Sequence, residues 1–372
     1  MARKIALLSK RSDQGLAALP DDYSITDDQN EADGWLVRST KLHDTEFPKG
    51  LRAIGRAGAG VNNIPLERCA EEGIVVFNTP GANANAVTEL AIAGMILATR
   101  DVIGGMHWVR SLPADETIAK TVEKGKSSFV GNEIRGKTLG IVGLGAIGHL
   151  VANAAVGLGM EVLGYDPMIP VQYAWGLSRQ VQHVNKLEEM LPQCDFLTVH
   201  IPLNEKTKNT IDAHEIAMMK PTAVLLNLAR GGIVNEEAVE EALKAEKLRA
   251  YVVDFPNEKN VTFPNTLVIP HLGASTEEAG ENCALMAVNE LVHYLDEGNI
   301  KNSVNYPDVS LGALKSPTRV VVLHRNEPKV IKKIAGLIGE AGYNIEQMVS
   351  GSKGNYSCAI FDIATKMDRE FP

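Results

Sequence analysis

The chain has 372 residues, 45% hydrophobic and 22% charged, with 37 Lys and Arg against 46 Asp and Glu and a formal net charge of −9. That length predicts two or three domains, and the apolar content is that of an ordinary globular protein. An acidic chain without a basic run is no nucleic-acid binder, and the scattered Cys69, Cys194, Cys283 and Cys358 lack metal-ligand spacing and read as reduced thiols.

Residues 4–9 read as a strand at the point where a leader would need a longer apolar run, so a cytoplasmic protein is expected. The longest apolar helical stretch, 90–98, is too short to span a bilayer. Further strands are predicted over 34–38, 51–54 and 74–77, with a helix over 65–72. This βα alternation predicts a parallel sheet with helices on its faces, and ligands sit beyond the carboxyl ends of such strands. The loops at 38–40, 55–60 and 78–83 are therefore expected to share one crevice. In the second of them Arg56 stands alone among small residues, a pattern that suits a carboxylate or phosphate; an exposed arginine on a flexible loop is the alternative. Residues 85–100 are apolar almost all round and predict a buried helix. Residues 101–130, with Lys120, Lys124 and Lys126, read equally as an arm reaching a second subunit or as a solvated helix and loop.

Residues 138–167 carry the most specific pattern. A short apolar strand leads into Gly143-Leu144-Gly145-Ala146-Ile147-Gly148, then a small-residue helix over 151–158, then a second strand over 161–165 closed by Asp166. Gly143 suits a tight turn, Gly145 close approach of a pyrophosphate, and Gly148 close packing of helix on strand. The helix start offers unpaired N–H groups to that pyrophosphate. Asp166 can accept from a ribose 2′-OH and repels a 2′-phosphate, which selects NAD over NADP. The full strand–turn–helix–strand–acid context raises the motif above a bare glycine pattern.

Strands follow over 196–200, 223–227, 249–253 and 267–270, with a helix capped by Asn235 and a long last helix over 277–295. Arg230, Asp254, Glu258 and His271 fall at or just past these strand ends. Each alone is unremarkable on a surface, but their joint placement predicts a reaction centre. Residues 304–317 read as a linker, followed by strand 319–323, helix 329–342 and strands 347–350 and 357–364.

The segments 55–63, 78–83, 136–148, 227–232 and 270–276 resemble the D-isomer-specific 2-hydroxyacid dehydrogenase family over nearly the whole chain. The resemblance implies an α/β fold of two interleaved, doubly wound, Rossmann-like domains. These would be a substrate domain from 1–98 and 287–312 and an NAD domain from 99–286. It also implies NAD-dependent oxidation of a phosphorylated 2-hydroxy acid, 3-phosphoglycerate, in a homodimer or homotetramer. His271 would take the hydroxyl proton, Glu258 would orient its imidazole, and Arg230 would hold the substrate carboxylate. Cofactor contacts would come from Gly143, Gly145, Ala146, Ile147, Gly148, Asp166, Ile201, Leu228, Ala229, Asp254, Gly273, Ala274 and Thr79, with Asp254 on the nicotinamide amide. Substrate contacts would come from Arg56, Gly58, Ala59, Arg38, Ser39 and Asn78. No metal is implied. The family spacing between the two acids is one residue longer than Asp254-Phe255-Pro256-Asn257-Glu258.

Residues 318–372 resemble the start of an ACT regulatory module, stopping short of its second helix and last strand, with Lys329 where glycine is usual. That resemblance implies His324, Asn326 and Asn344 as contacts to an L-serine effector. A reductase of hydroxypyruvate or glyoxylate would share every catalytic residue, and an NAD-sensing, non-catalytic scaffold would share the fold.

Overall fold

The computed structural model describes residues 3–8 and 16–367, so position 9 of the first predicted strand lies outside the described residues. The chain divides into two compact units, residues 1–83 with 277–372 and residues 84–276.

The first unit begins with β1 (Arg3–Leu7), β2 (Tyr23–Thr26), β3 (Gly34–Val37), β4 (Ala53–Arg56), helix α1 (Leu66–Glu71) and β5 (Val75–Asn78). They form a parallel sheet in the order β2-β1-β3-β4-β5. The sequence reading missed β2, an edge strand of four residues whose Ser24 and Ile25 are both exposed, too short for its alternation to stand out.

The second unit opens with α2 (Ala84–Thr99), α3 (Val102–Ser111) and α4 (Ile118–Gly125). It continues through β6 (Thr138–Val142), α5 (Gly148–Gly157), β7 (Glu161–Tyr165), α6 (Val171–Gly176), β8 (Gln182–His183), α7 (Leu187–Met190) and β9 (Phe196–Val199). It ends with α8 (Ala213–Met218), β10 (Val224–Asn227), α9 (Glu236–Lys244), β11 (Ala250–Val253) and β12 (Thr266–Val268). Seven strands lie parallel in the order β12-β11-β10-β9-β6-β7-β8. The order reverses direction between β6 and β9, and such a switch point opens a crevice at the carboxyl ends. β9, β10 and β11 are buried at every residue, which is why they read as near-continuous apolar runs, interrupted by Thr198 and ended by Asn227. Asn235 caps α9 through the amides of Glu237 and Ala238, as its spacing predicts.

The units part at 83/84 and 276/277, where the sequence places the changes at 98/99 and 286/287. Packing explains the difference. α2 lies on the second unit's sheet, where a Cβ at Gly94 would come 3.1 Å from Val252. The long α10 (Glu277–Glu297) lies on the first, with Leu291 3.0 Å from where a Gly55 Cβ would sit. α3 exposes Val102, Ile103, Met106 and Val109. Among the described residues no helix is long and apolar enough to cross a membrane.

The predicted linker is partly core: Tyr306 is 2% exposed and Val309 5%. Asn305 accepts from Val76 N and donates to Ile74 O, so its side chain pairs with the edge of β5 as a strand would. After it come β13 (Thr318–Arg325), α11 (Val330–Glu340), β14 (Ile345–Lys353) and β15 (Tyr356–Ile363), an antiparallel sheet in the order β13-β15-β14. β15 is buried throughout. Ala359, Phe361 and Ile363 pack under Ile331, Ile334 and Ile338 of α11, while Tyr356, Cys358 and Ile360 join the core of Leu291, Tyr306 and Val309. Lys329, at the N-cap of α11, has φ +72, the left-handed region that favours glycine.

Candidate active site

In the second unit the glycine turn behaves as its spacing predicts. Gly143 has φ +92, and a Cβ there would come 2.8 Å from His200 O. A Cβ on Gly148 would fall 1.9 Å from Gly143 O, so only glycine closes this turn. Nothing lies within 4 Å of a Cβ on Gly145, which leaves bare backbone facing open space beside half-buried Ala146 and Ile147. No side chain caps α5. Asp166 accepts from Leu144 N at 2.8 Å and from Met168 N at 2.9 Å, which fixes the acid against the turn. These features fit a dinucleotide: an open glycine, an uncapped helix start and an anchored acceptor for ribose.

Ile201 and Leu228 follow β9 and β10 at the same edge of the sheet, Leu228 buried and Ile201 half-buried. His200, just before Ile201, is half-buried with its Nε2 3.0 Å from Thr198 Oγ1, and desolvation of the ring pushes its pKa down to about 4. At the end of β10, Asn227 donates to Arg230 O and accepts from Ala229 N, folding 228–230 into a loop that leaves Arg230 exposed.

Asp254, at the end of β11, is 1% exposed. Its Oδ1 accepts from Leu272 N at 2.7 Å and its Oδ2 from Gly273 N at 2.8 Å. Asp254 thereby braces the loop that carries His271 and the half-buried Ala274. That loop needs a brace. His271 has φ +54, and its N–H bonds back to Ile269 O. The His271 ring is exposed and lies 4.9 Å from the Phe255 ring. Glu258 is exposed, and neither a hydrogen bond nor an ion pair joins it to His271. Its turn is tied instead through Asn257 and Asn260 to the Glu236 carboxylate. Asn227, Phe255 and Asn260 escaped the sequence reading; the only signal was an asparagine or an aromatic ring beside each strand end.

In the first unit the loops after β4 and β5 are tied together. Asn78 Nδ2 donates to Ala59 O at 2.6 Å, and Gly58 N donates to Thr79 Oγ1 at 2.7 Å. Gly58 has φ +141, and a Cβ there would fall 1.8 Å from Arg56 NH1, so the guanidinium lies across bare backbone. Thr79 is 0% exposed, and its hydroxyl oxygen holds the Gly58 N–H. Arg38 and Ser39 are exposed after β3. Among the described residues no cluster of His, Cys, Asp and Glu could hold a metal.

In the last module His324 Nδ1 lies 2.7 Å from Arg325 O, and Asn326 donates to Gly354 O. Both sit where β13 pairs Tyr356, whereas Asn344 precedes Ile345, which pairs Ile363. Within one chain the three predicted effector residues thus stand at opposite ends of the sheet.

Residues 92–273 match the family model described as D-isomer specific 2-hydroxyacid dehydrogenase, NAD binding domain. The D-3-phosphoglycerate dehydrogenase of Methanocaldococcus jannaschii is 38% identical over 297 residues, covering 77% of this chain and 54% of that protein. The Escherichia coli K12 protein of the same name is 34% identical over 329 residues, covering 86% of this chain and 76% of that one. The NAD+-bound 3-phosphoglycerate dehydrogenase of Entamoeba histolytica superposes with a TM-score of 0.61 at 28% identity, over 82% of this chain and 99% of that one. The chain thus spans about half the length of the first of these relatives.

Proposed function

The chain belongs to the D-isomer specific 2-hydroxyacid dehydrogenase family, and from that premise we propose that it oxidises 3-phosphoglycerate to 3-phosphohydroxypyruvate with NAD, the first step of serine biosynthesis. NAD, held by the Gly143–Gly148 turn and Asp166, supplies the hydride acceptor. His271 takes the proton from the substrate 2-hydroxyl as the hydride leaves its carbon, a task suited to an imidazole near neutral pH. Arg230 grips the substrate carboxylate in a bidentate pair and polarises the reacting oxygen. Glu258 favours the imidazolium through its charge, a contact of the kind that tightens in the Michaelis complex. Arg56, with Gly58, Ala59 and Asn78, receives the anionic end of the substrate, joined by Arg38 and Ser39.

The observation that most supports this reading is the shared edge of one parallel sheet. The glycine turn, the Arg230 loop and the braced His271 loop all follow the carboxyl ends of its strands. We further assign residues 318–372 as an ACT-like module, with L-serine held by His324 and Asn326 of one chain and Asn344 of a second, in a homodimer or homotetramer. NADH formation from 3-phosphoglycerate and from D-glycerate, with and without L-serine, tests both assignments. The phosphorylated acid should react faster, and serine should slow it. NAD binding without turnover of any hydroxy acid would favour the scaffold reading; faster reduction of glyoxylate or hydroxypyruvate would favour the reductase.

A further inference from the structure

α10 buries Ala287 and Leu291 against the first unit's sheet, and on the same stretch it buries a carboxylate. Glu290 is 7% exposed; its Oε1 accepts from Asn302 Nδ2 at 2.7 Å, and its Oε2 has no partner among the described residues. A buried carboxyl oxygen without a partner is costly once ionised, and native chains rarely keep one without a use. Glu290 lines a cavity of about 1020 Å³ between α10 and residues 299–313.

The walls define what could enter. Leu285, Met286, Ile300 and Val309 give an apolar lining. The charged groups facing it are Glu290, Glu297 and Asp308 against Lys301 and His293, so an anion would meet more acid than base. Among the described residues no metal-holding cluster exists, so a bare cation finds too few ligands. A ligand that satisfies Oε2 must bring its own positive charge and N–H donors on an apolar stem.

We propose that this cavity is a binding site for an aliphatic primary ammonium ion, with Glu290 Oε2 as its acceptor. Burial pushes the Glu290 carboxyl up to about 8, against the opposing influence of the Asn302 bond and Lys301 and with the help of Asp308. The empty site therefore holds a proton at neutral pH, and ammonium binding expels it. Affinity should then rise about tenfold between pH 7 and pH 9, where the amine remains charged and Glu290 ionises.

Isothermal titration calorimetry of the full chain with n-pentylammonium chloride and 1-pentanol tests this. We expect the amine to bind more tightly at pH 9 than at pH 7, the alcohol to show no such change, and the amine at pH 7 to release about one proton, read from buffers of different ionisation enthalpy. Glu290→Gln should flatten the amine's pH dependence, and Met286→Trp should block it by filling the cavity. Equal binding of amine and alcohol, no proton release, or undiminished amine binding in Met286→Trp would overturn the proposal, the last even if Glu290→Gln fails to fold.

Discussion

Asp254 holds Gly273: Oδ2 accepts its N–H at 2.8 Å in a pocket where the acid is 1% exposed. With Oδ1 on Leu272, one carboxylate fixes the two amides that follow His271. A histidine at φ +54 is strained, and such a backbone persists only where its surroundings over-determine it. The buried acid thus fixes the backbone that carries His271. Asp254→Asn keeps the shape but sets an amide donor against one backbone N–H, losing a charge-assisted bond worth about 1.5–3 kcal/mol. Turnover should fall by about 10–100-fold, with NAD affinity changed little. A large loss of NAD affinity in fluorescence titration would instead mark Asp254 as a nicotinamide contact.

His271→Asn removes the proposed proton acceptor and keeps a polar side chain of similar reach. Turnover should fall by about 10²–10⁴-fold while NAD binding is unchanged, since the glycine turn lies on other strands. Steady-state rates paired with NAD titration check it.

Gly148→Ala acts on the cofactor rather than on the chemistry. Its Cβ would meet the Gly143 carbonyl oxygen at 1.9 Å, and backbone cannot yield as a side-chain tip can. The turn must open, so NAD affinity should fall by more than about tenfold with little change in turnover at saturating NAD. Gly145→Ala has open space for its methyl in the free chain, so it should fold normally and lose affinity only by crowding the pyrophosphate. Equal affinity of both variants and the parent would remove the turn from the cofactor site.

How much of this was legible follows from where each signal lies. The glycine turn and Asp166 are contiguous, and each residue answers one steric need, so spacing alone placed them. Arg230 and His271 follow strand ends and inherit their position from sheet topology. The bracing bonds of Asp254, Thr79 and Asn305 were not legible, because each joins a partner distant in sequence: Gly273 to Asp254, Gly58 to Thr79, Val76 to Asn305. A polar side chain that braces a neighbouring loop looks, in sequence, like one that meets a ligand. The unit boundaries misled for a related reason, since an apolar helix that falls in sequence between the strands of two sheets does not announce which sheet it covers.

His200 makes the second unit sensitive to acid. Its folded-state pKa, pushed down to about 4 by desolvation, lies below the ordinary histidine value of 6.5. Above pH 6.5 neither folded nor unfolded chain is protonated there, and the group is silent. As pH falls from 6.5 towards 4 the unfolded chain binds a proton that the folded one refuses, so stability declines by up to about 1.4 kcal/mol per unit. Below the folded value both are protonated and the loss stops growing. His200→Asn should remove this slope from urea midpoints measured across the window, and an unchanged slope would assign it to other groups.

Arg319 and Asp362 tie the last module to the rest of the first unit. Arg319 Nε meets Asp362 Oδ1 at 2.6 Å and its Nη2 meets Oδ2 at 2.9 Å, with both side chains buried. Its remaining Nη1 donates to Glu297 O, at the end of α10, and to Gly312 O. Arg319→Met would leave a buried carboxylate and two carbonyls unanswered, which should cost about 3–5 kcal/mol. Arg319→Met with Asp362→Leu removes the orphaned charge and should recover part of that loss, because the large single-mutant cost comes from the stranded partner. Denaturant unfolding followed separately in the module and in the rest of the first unit checks both. A single variant as stable as the parent would show that the apolar contacts of Tyr356, Cys358 and Ile360 alone hold the module in place.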